Sequence, residues 1–270
     1  MMLWTHYEAR QQGFAVNEEA LQELELKALA EYLGHPELTP TGQDTGFMEQ
    51  KLGPGTISLS LALQANPAPG KEAIDALERF RDNFVKLQND DGSWTTKVNQ
   101  APLVDGHDSM TMLILTALDK GHTESKHHNS RRRAAQWLKH SPVREESQAL
   151  ALGILVAIQC GDKEQVAAHV ESVRRRQQED GGWNQTDGSA TDALATGQVL
   201  YALGSAGIRP DDPTVQRARG FLSSTQKDDG SWLVPTRNPN GKGFVTSYYG
   251  TGWATLGLLR TLPPKAGAGR

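Results

Sequence analysis

Three copies of one short loop constrain this chain more than anything else in it. Gln88 to Trp94 reads QNDDGSW, Gln177 to Trp183 reads QQEDGGW and Gln226 to Trp232 reads QKDDGSW, each with an acid before the glycine. Each follows a segment whose apolar residues recur at intervals of three and four: EAIDALERFRDNFVKLQ, KEQVAAHVESVRRRQ and DPTVQRARGFLSSTQ. That period predicts amphipathic helices ending at the glutamine. The tryptophans stand 89 and then 49 positions apart, so a further unit fits the longer gap. RRRAAQWLKHSP supplies its helix, with Trp137 and Leu138 near the places of Phe221 and Leu222, but without the loop. Such repetition means stacked supersecondary units, each covering what its neighbour leaves exposed.

After each unit comes a second, more apolar helix: DSMTMLILTALDKG, EESQALALGILVAIQCG, TDALATGQVLYALGSAG and TSYYGTGWATLGLLRTL. Helices apolar almost all round are buried ones. Gly121, Gly161, Gly204 and Gly207 stand where C-terminal caps belong. Nearer the start, NEEALQELELKALAEYL is a helix capped by Asn17, and GTISLSLALQAN is another apolar helix after a long link. Ten helices are expected, eleven or twelve with the first residues and the region around Met48. Alternating amphipathic and apolar helices predict an all-α fold: a single α/α toroid, a barrel of inner helices wrapped by outer ones. The expected organisation is one domain over 1–270, with N-terminal helices and linker over 1–54, repeat hairpins over 55–262 and a flexible tail over 263–270.

Composition removes several function classes. A net charge of -4 gives no electrostatic reason to expect nucleic acid. The Arg131–Arg133 and Arg174–Arg176 triplets read as solvated helix surface. The single cysteine, Cys160, excludes an intrachain disulfide and a cysteine-rich zinc cluster, and its place after an apolar run predicts a buried structural thiol. His122, His127 and His128 in HTESKHH read as a solvated turn, and no metal or cofactor is expected. Glu8, Glu18, Glu19, Glu23 and Glu25 with no apolar h-region argue against a signal peptide, and no stretch is apolar enough for a membrane span; a cytoplasmic location is expected. Leu3, Trp4 and Tyr7 lie at helical spacing with no cap ahead of them, which suggests a chain cut from something longer, with an upstream domain.

RARGFLSSTQKDDGSW, Arg217 to Trp232, resembles the QW motif of the terpenoid cyclases, the squalene–hopene and oxidosqualene cyclases, and is similar to the repeats of protein prenyltransferase β subunits. The resemblance covers about 71–260. Physically, Gln88, Gln177 and Gln226 can close helices by bonding free carbonyls there, while Trp94, Trp183 and Trp232 fold back and offer their indole N–H groups. The acids before the glycines are expected near the start of the next inner helix, where the macrodipole favours negative charge. The motif therefore reads as a clamp between hairpins, and its carboxylates as structural.

The resemblance also implies a central apolar cavity with catalytic groups at the ends of the inner helices. Cyclases of this kind use an Asp-x-Asp-Asp cluster, since protonating an alkene demands an unusually strong acid. Here only Asp192 stands where that cluster would begin, followed by Ala193, Leu194 and Ala195, and the prenyltransferase zinc triad is missing as well. The candidate catalytic groups are Asp192, Asp105, Asp108 and His107; the plainer reading of VDGHDSMT is an N-cap at Asp105 or Asp108 with the others facing water. Closing the ring would bring Asp105, His107, Asp108, Glu145, Glu146, Asp192, Tyr248 and Tyr249 to one rim. Gly250 and Gly252 permit close approach there, and Glu145, Glu146, Tyr248, Tyr249 and Trp253 are the candidate ligand-binding residues. The expected function is a squalene/terpenoid cyclase-like toroid, non-standard or inactive as a class II cyclase, that binds an apolar or isoprenoid molecule in its cavity. A non-catalytic interaction module of a larger protein and a carbohydrate-active toroid are the alternatives. A channel of ~300 Å³ or more with an inward carboxylate would favour a ligand, whereas an interior filled by Met110, Met112, Ile114, Leu152 and Leu200 would not.

Overall fold

The computed structural model describes residues 1–33, 52–95, 101–118, 127–141, 144–237 and 242–263. These contain eleven helices: α1 (Met2–Gln11), α2 (Glu18–Leu33), α3 (Pro54–Ala65), α4 (Lys71–Lys86), α5 (Gly106–Ala117), α6 (His128–His140), α7 (Ser147–Cys160), α8 (Lys163–Arg176), α9 (Ala193–Ser205), α10 (Pro213–Thr225) and α11 (Gly243–Arg260). Two short strands, β1 (Trp183–Asn184) and β2 (Thr191–Asp192), pair antiparallel with Trp183 opposite Asp192. The chain is all-α in class. Met48 and the link before α3, Gly121, His122 and residues 264–270 lie outside the described residues.

Apolar sequence decides which helices go inside. The odd-numbered helices pack in a closed ring, α1 on α3, then α5, α7, α9 and α11, which returns to α1. The even-numbered helices lie outside, each against the inner helix before it: α2 on α1, α4 on α3, α6 on α5, α8 on α7 and α10 on α9. An outer helix buries one stripe only; in α4 this is Ala73, Ala76, Phe80 and Phe84. Inner helices α3, α5, α7 and α9 bury most of their length. The opening residues that read as an uncapped fragment are thus the sixth inner helix.

The three Gln-to-Trp loops are joints. Each tryptophan backbone N–H donates to a threonine hydroxyl on the following inner helix: Trp94 to Thr111 at 3.0 Å, Trp183 to Thr196 at 3.0 Å, Trp232 to Thr251 at 3.1 Å. Each indole N–H donates back to a carbonyl at the end of its own outer helix, Phe84, Val173 and Leu222, at 2.8, 2.7 and 2.9 Å. Glutamine does something else than expected. Gln88 Nε2 donates to the Gly92 carbonyl and to that of Ser130 in the next outer helix, both at 2.9 Å, and Gln177 does the same to Gly181 and Thr214 at 2.8 and 2.9 Å. The tryptophan, not the glutamine, closes the preceding helix, and the glutamine reaches forward. The acids also differ from expectation: Asp91, Asp180 and Asp229 accept from the backbone two residues on, at 2.9, 3.0 and 3.0 Å, shaping their own turn. Gly92 and Gly181 have φ of +96 and +91, and a Cβ there would lie 2.6 Å from the carbonyl oxygens of Arg133 and Arg217. Only glycine satisfies both conditions.

Four smaller expectations meet different fates. Asn17 does cap α2, accepting from Ala20 N–H at 3.0 Å. Gly204 is no cap: it sits inside α9, where a Cβ would meet the Arg260 carbonyl at 2.6 Å. Cys160 is exposed, because the buried face of α7 ends at Ala157. His127 is buried, not solvated, with its Nε2 2.9 Å from Asp82.

The tightest pair of inner helices is α9 and α11, which meet backbone to backbone. A Cβ on Gly197 would lie 2.3 Å from the Trp253 carbonyl carbon, and one on Gly257 would lie 2.6 Å from the Gly197 oxygen. Gly197→Ala is expected to cost at least the ~1–3 kcal/mol of an overpacked core. Gly220→Ala, in the open on α10, should stabilise by ~0.5–1 kcal/mol; urea denaturation of both variants measures the contrast. Trp183→Phe strands the Val173 carbonyl and should lose ~1–3 kcal/mol by the same assay.

Candidate functional site

Because an outer helix returns the chain between each inner helix and the next, the six run parallel, with all amino ends at one rim and all carboxyl ends at the other. Free N–H groups gather at the first rim and free carbonyls at the second.

The amino rim holds the acids read from the sequence, but arginines occupy them. Arg144 bonds Asp108 at 2.9 Å, Asp105 at 3.1 Å and Glu146 at 2.9 Å. Arg237 pairs with the other oxygen of Asp105 and donates to Gln185 Oε1 at 2.8 Å. Gln148 accepts from the Asp105 N–H at 2.8 Å and donates to the Pro102 and Leu103 carbonyls. Asp105 stands in the N-cap position of α5, but its side chain serves the arginines instead of the helix. Burial alone would push its carboxyl up; Arg237 and Arg144 together outweigh that and hold it below the ordinary range. His107 and Glu145 are exposed and take no part in this ion-pair set.

Asp192 is the N-cap of α9. Its Oδ1 accepts from the Leu194 and Ala195 N–H groups at 2.8 and 3.0 Å, and it is 6% exposed. Burial pushes its carboxyl above the usual range despite these bonds and the contact with Gln185. That is the wrong direction for protonating an alkene, which needs a stronger acid than an ordinary carboxylic one.

Tyr248 and Tyr249 stand apart from the acids. Their rings meet edge to face at 5.5 Å, and they line a side pocket of about 240 Å³ with Tyr32, Ser58 and Met2, between α11 and the first helices. Gly250 and Gly252 face Val234 and Met1 rather than open space.

The axial cavity lies at the carboxyl rim. It measures about 380 Å³ and takes lining residues from all six inner helices, among them Glu8, Gln64, Thr116, Gln159, Tyr201 and Arg260. Leu61, Leu113, Leu152, Leu155 and Ile158 supply aliphatic wall. Trp4, Tyr201 and Trp253 form an aromatic triangle, edge to face, with centroids 5.2 to 5.8 Å apart. Leu152 therefore lines open space, whereas Met110, Ile114 and Leu200 are fully packed.

At this end a buried carboxylate holds three donors on one oxygen. Glu8 Oε1 accepts from Arg260 at 2.8 Å, Tyr201 OH at 3.1 Å and Trp4 Nε1 at 3.4 Å. Burial, then the Glu8 charge, pushes the Tyr201 phenol up to about 12, so it remains a donor at neutral pH. Of these residues only Trp253 was singled out as ligand-binding from sequence; Glu8, Tyr201 and Arg260 were not. A signal existed: apart from histidines, the inner helices carry only Glu8, Arg10, Asp108 and Arg260 as charged residues.

The Asp192 shift has a testable sign. A raised folded-state pKa means the unfolded chain ionises first, so the contribution of Asp192 is full below its unfolded value near ~4 and is lost as pH rises through the folded value. Asp192→Asn keeps a cap acceptor without the charge. Its melting temperature should match wild type at acid pH and exceed it increasingly toward pH ~7; parallel pH profiles would contradict the burial effect.

Residues 146–227 match the family described as the squalene-hopene cyclase N-terminal domain. A squalene–hopene cyclase of Bradyrhizobium diazoefficiens is 33% identical over 95 residues, which span 34% of this chain and 14% of that protein. A solved structure of a glycosidase variant is similar in fold, with a TM-score of 0.60 at 11% identity over 97% of this chain and 87% of its own. Among the described residues no helix is long and apolar enough to cross a membrane. The chain is thus an α/α toroid, and its residues 146–227, with the second Gln-to-Trp joint among them, are similar to the N-terminal domain of squalene-hopene cyclases.

Proposed function

We propose that this toroid is a cyclase-like binding unit, inactive as a class II cyclase, which holds an apolar or isoprenoid molecule in its axial cavity. The observation that carries this reading is the cavity itself: about 380 Å³, drawn from every inner helix and walled by leucines and an aromatic triangle. Cavities of this size with aliphatic and aromatic walls and converging polar groups are a usual form of small-molecule site. The acids at the opposite rim support the inactive half of the proposal. Asp105 and Asp108 are bound to Arg144, and Asp192 is engaged as a helix cap. The same engagement weakens a carbohydrate-active reading, which needs two carboxyls free to act across one bond.

Leu155→Trp tests the cavity directly, since Leu155 lines it while being only half-buried. A C15 isoprenoid should quench the fluorescence of Trp4 and Trp253 in the wild type. The variant should bind at least ~10-fold more weakly, the scale of steric exclusion from a filled pocket, with its melting temperature little changed. Equal affinity in both proteins would remove the cavity as the site. Cyclic products from squalene or shorter polyprenyl substrates would overturn the assignment of inactivity.

A further inference from the structure

The polar end of the cavity leaves three buried atoms unanswered. Glu8 Oε2 has no donor, Arg260 Nε has no acceptor and Gln159 Oε1 has no donor, although Glu8 is 2% exposed and all three residues line the cavity. The other groups around them are already committed. Gln159 Nε2 donates to the Thr116 carbonyl at 3.0 Å, Gln64 donates to the same carbonyl at 3.3 Å, and Gln64 Oε1 accepts from Arg81 at 3.2 Å. A buried polar atom without a partner carries its full desolvation penalty, so a bound molecule that answers it gains accordingly.

We propose that this end recognises the hydroxyl group of an apolar alcohol. This rests on the reading of the cavity as a ligand site and adds the chemistry of the head group. A hydroxyl both donates and accepts. It can give its proton to Glu8 Oε2, or to Gln159 Oε1, and accept from Arg260 Nε. The alternatives fit worse. An ammonium only donates, leaves Arg260 Nε unanswered and adds a positive charge to a Glu8–Arg260 pair that is already neutral. A diphosphate only accepts, meets a carboxylate and lies where six helix carboxyl ends disfavour anions. A hydrocarbon answers nothing.

The test uses four C15 probes on the full chain: farnesol, farnesylamine, farnesyl diphosphate and β-farnesene, titrated by calorimetry. Farnesol should bind ~10-fold or more tightly than each of the others, the preference that one hydrogen bond to a charged acceptor supports. The double variant Glu8→Leu with Arg260→Leu removes the ion pair as a unit, an exchange that buried pairs often tolerate. It should bind farnesene at least as well as farnesol. Equal binding of farnesol and farnesene by the wild type would overturn the head-group assignment while leaving the cavity as a ligand site standing. Tighter binding of the amine or the diphosphate would overturn it in favour of a charged ligand. No binding of any probe would sink the cavity reading and this inference together. Should the double variant fail to fold, the wild-type ranking decides alone.

Discussion

Six parallel helices in one ring impose a polarity on everything else in the molecule. Their free N–H groups meet at one rim and their free carbonyls at the other, and neither set can go unanswered when buried. At the amino rim the answer is carboxylate: Asp192 caps α9 directly, and Asp105, Asp108 and Glu146 cluster there with Arg144 and Arg237 as counter-ions. At the carboxyl rim the answer is donor-rich: Gln64 and Gln159 both reach the Thr116 carbonyl, and Arg260 lies beside Glu8. The first rim is consumed by its own ion pairs. The second retains both space and unspent hydrogen-bonding capacity.

The joints fasten each hairpin they serve to its neighbours. A tryptophan indole closes the outer helix behind it, its backbone N–H engages the inner helix ahead, and a glutamine reaches the next outer helix. One seven-residue loop thus fixes three helices. In the first two copies the glycine, Gly92 or Gly181, is held at positive φ and pressed against a neighbouring backbone carbonyl, so two demands with different causes select the same residue.

Most of this architecture was legible in the sequence because it is periodic. Inner and outer helices differ in how much of their circumference is apolar, and a three-fold repeat of Gln to Trp leaves little else to fold into. The site was less legible, for a physical reason. Short-range spacing made Asp105, His107 and Asp108 look like a catalytic group, but Asp105 and Asp108 are held by Arg144, some forty positions on, Asp105 also by Arg237, far beyond, and His107 stays exposed. Glu8 and Arg260 are 252 positions apart and become neighbours only when α11 closes on α1. Cys160 and His127 failed for a similar reason. Apolar neighbours in sequence did not bury the first, which lies beyond the buried face of α7, and polar neighbours did not expose the second, which sits at the cap of α6 against Asp82 of α4.

The unit that lost its loop carries a lesson about curvature. Between α6 and α7 no Gln-to-Trp joint exists, yet α7 still takes its place between α5 and α9. Six equal steps around a circle are about 60° each, and only three of them, α3 to α5, α7 to α9 and α9 to α11, carry a Gln-to-Trp loop. The bend per repeat is therefore a property of how the inner helices wedge against one another, with the loops acting as rivets placed after the angle is chosen. A ring built that way closes with rivets at only some of its steps, and between α6 and α7 the salt-bridged Arg144 spans α5 and the start of α7 instead.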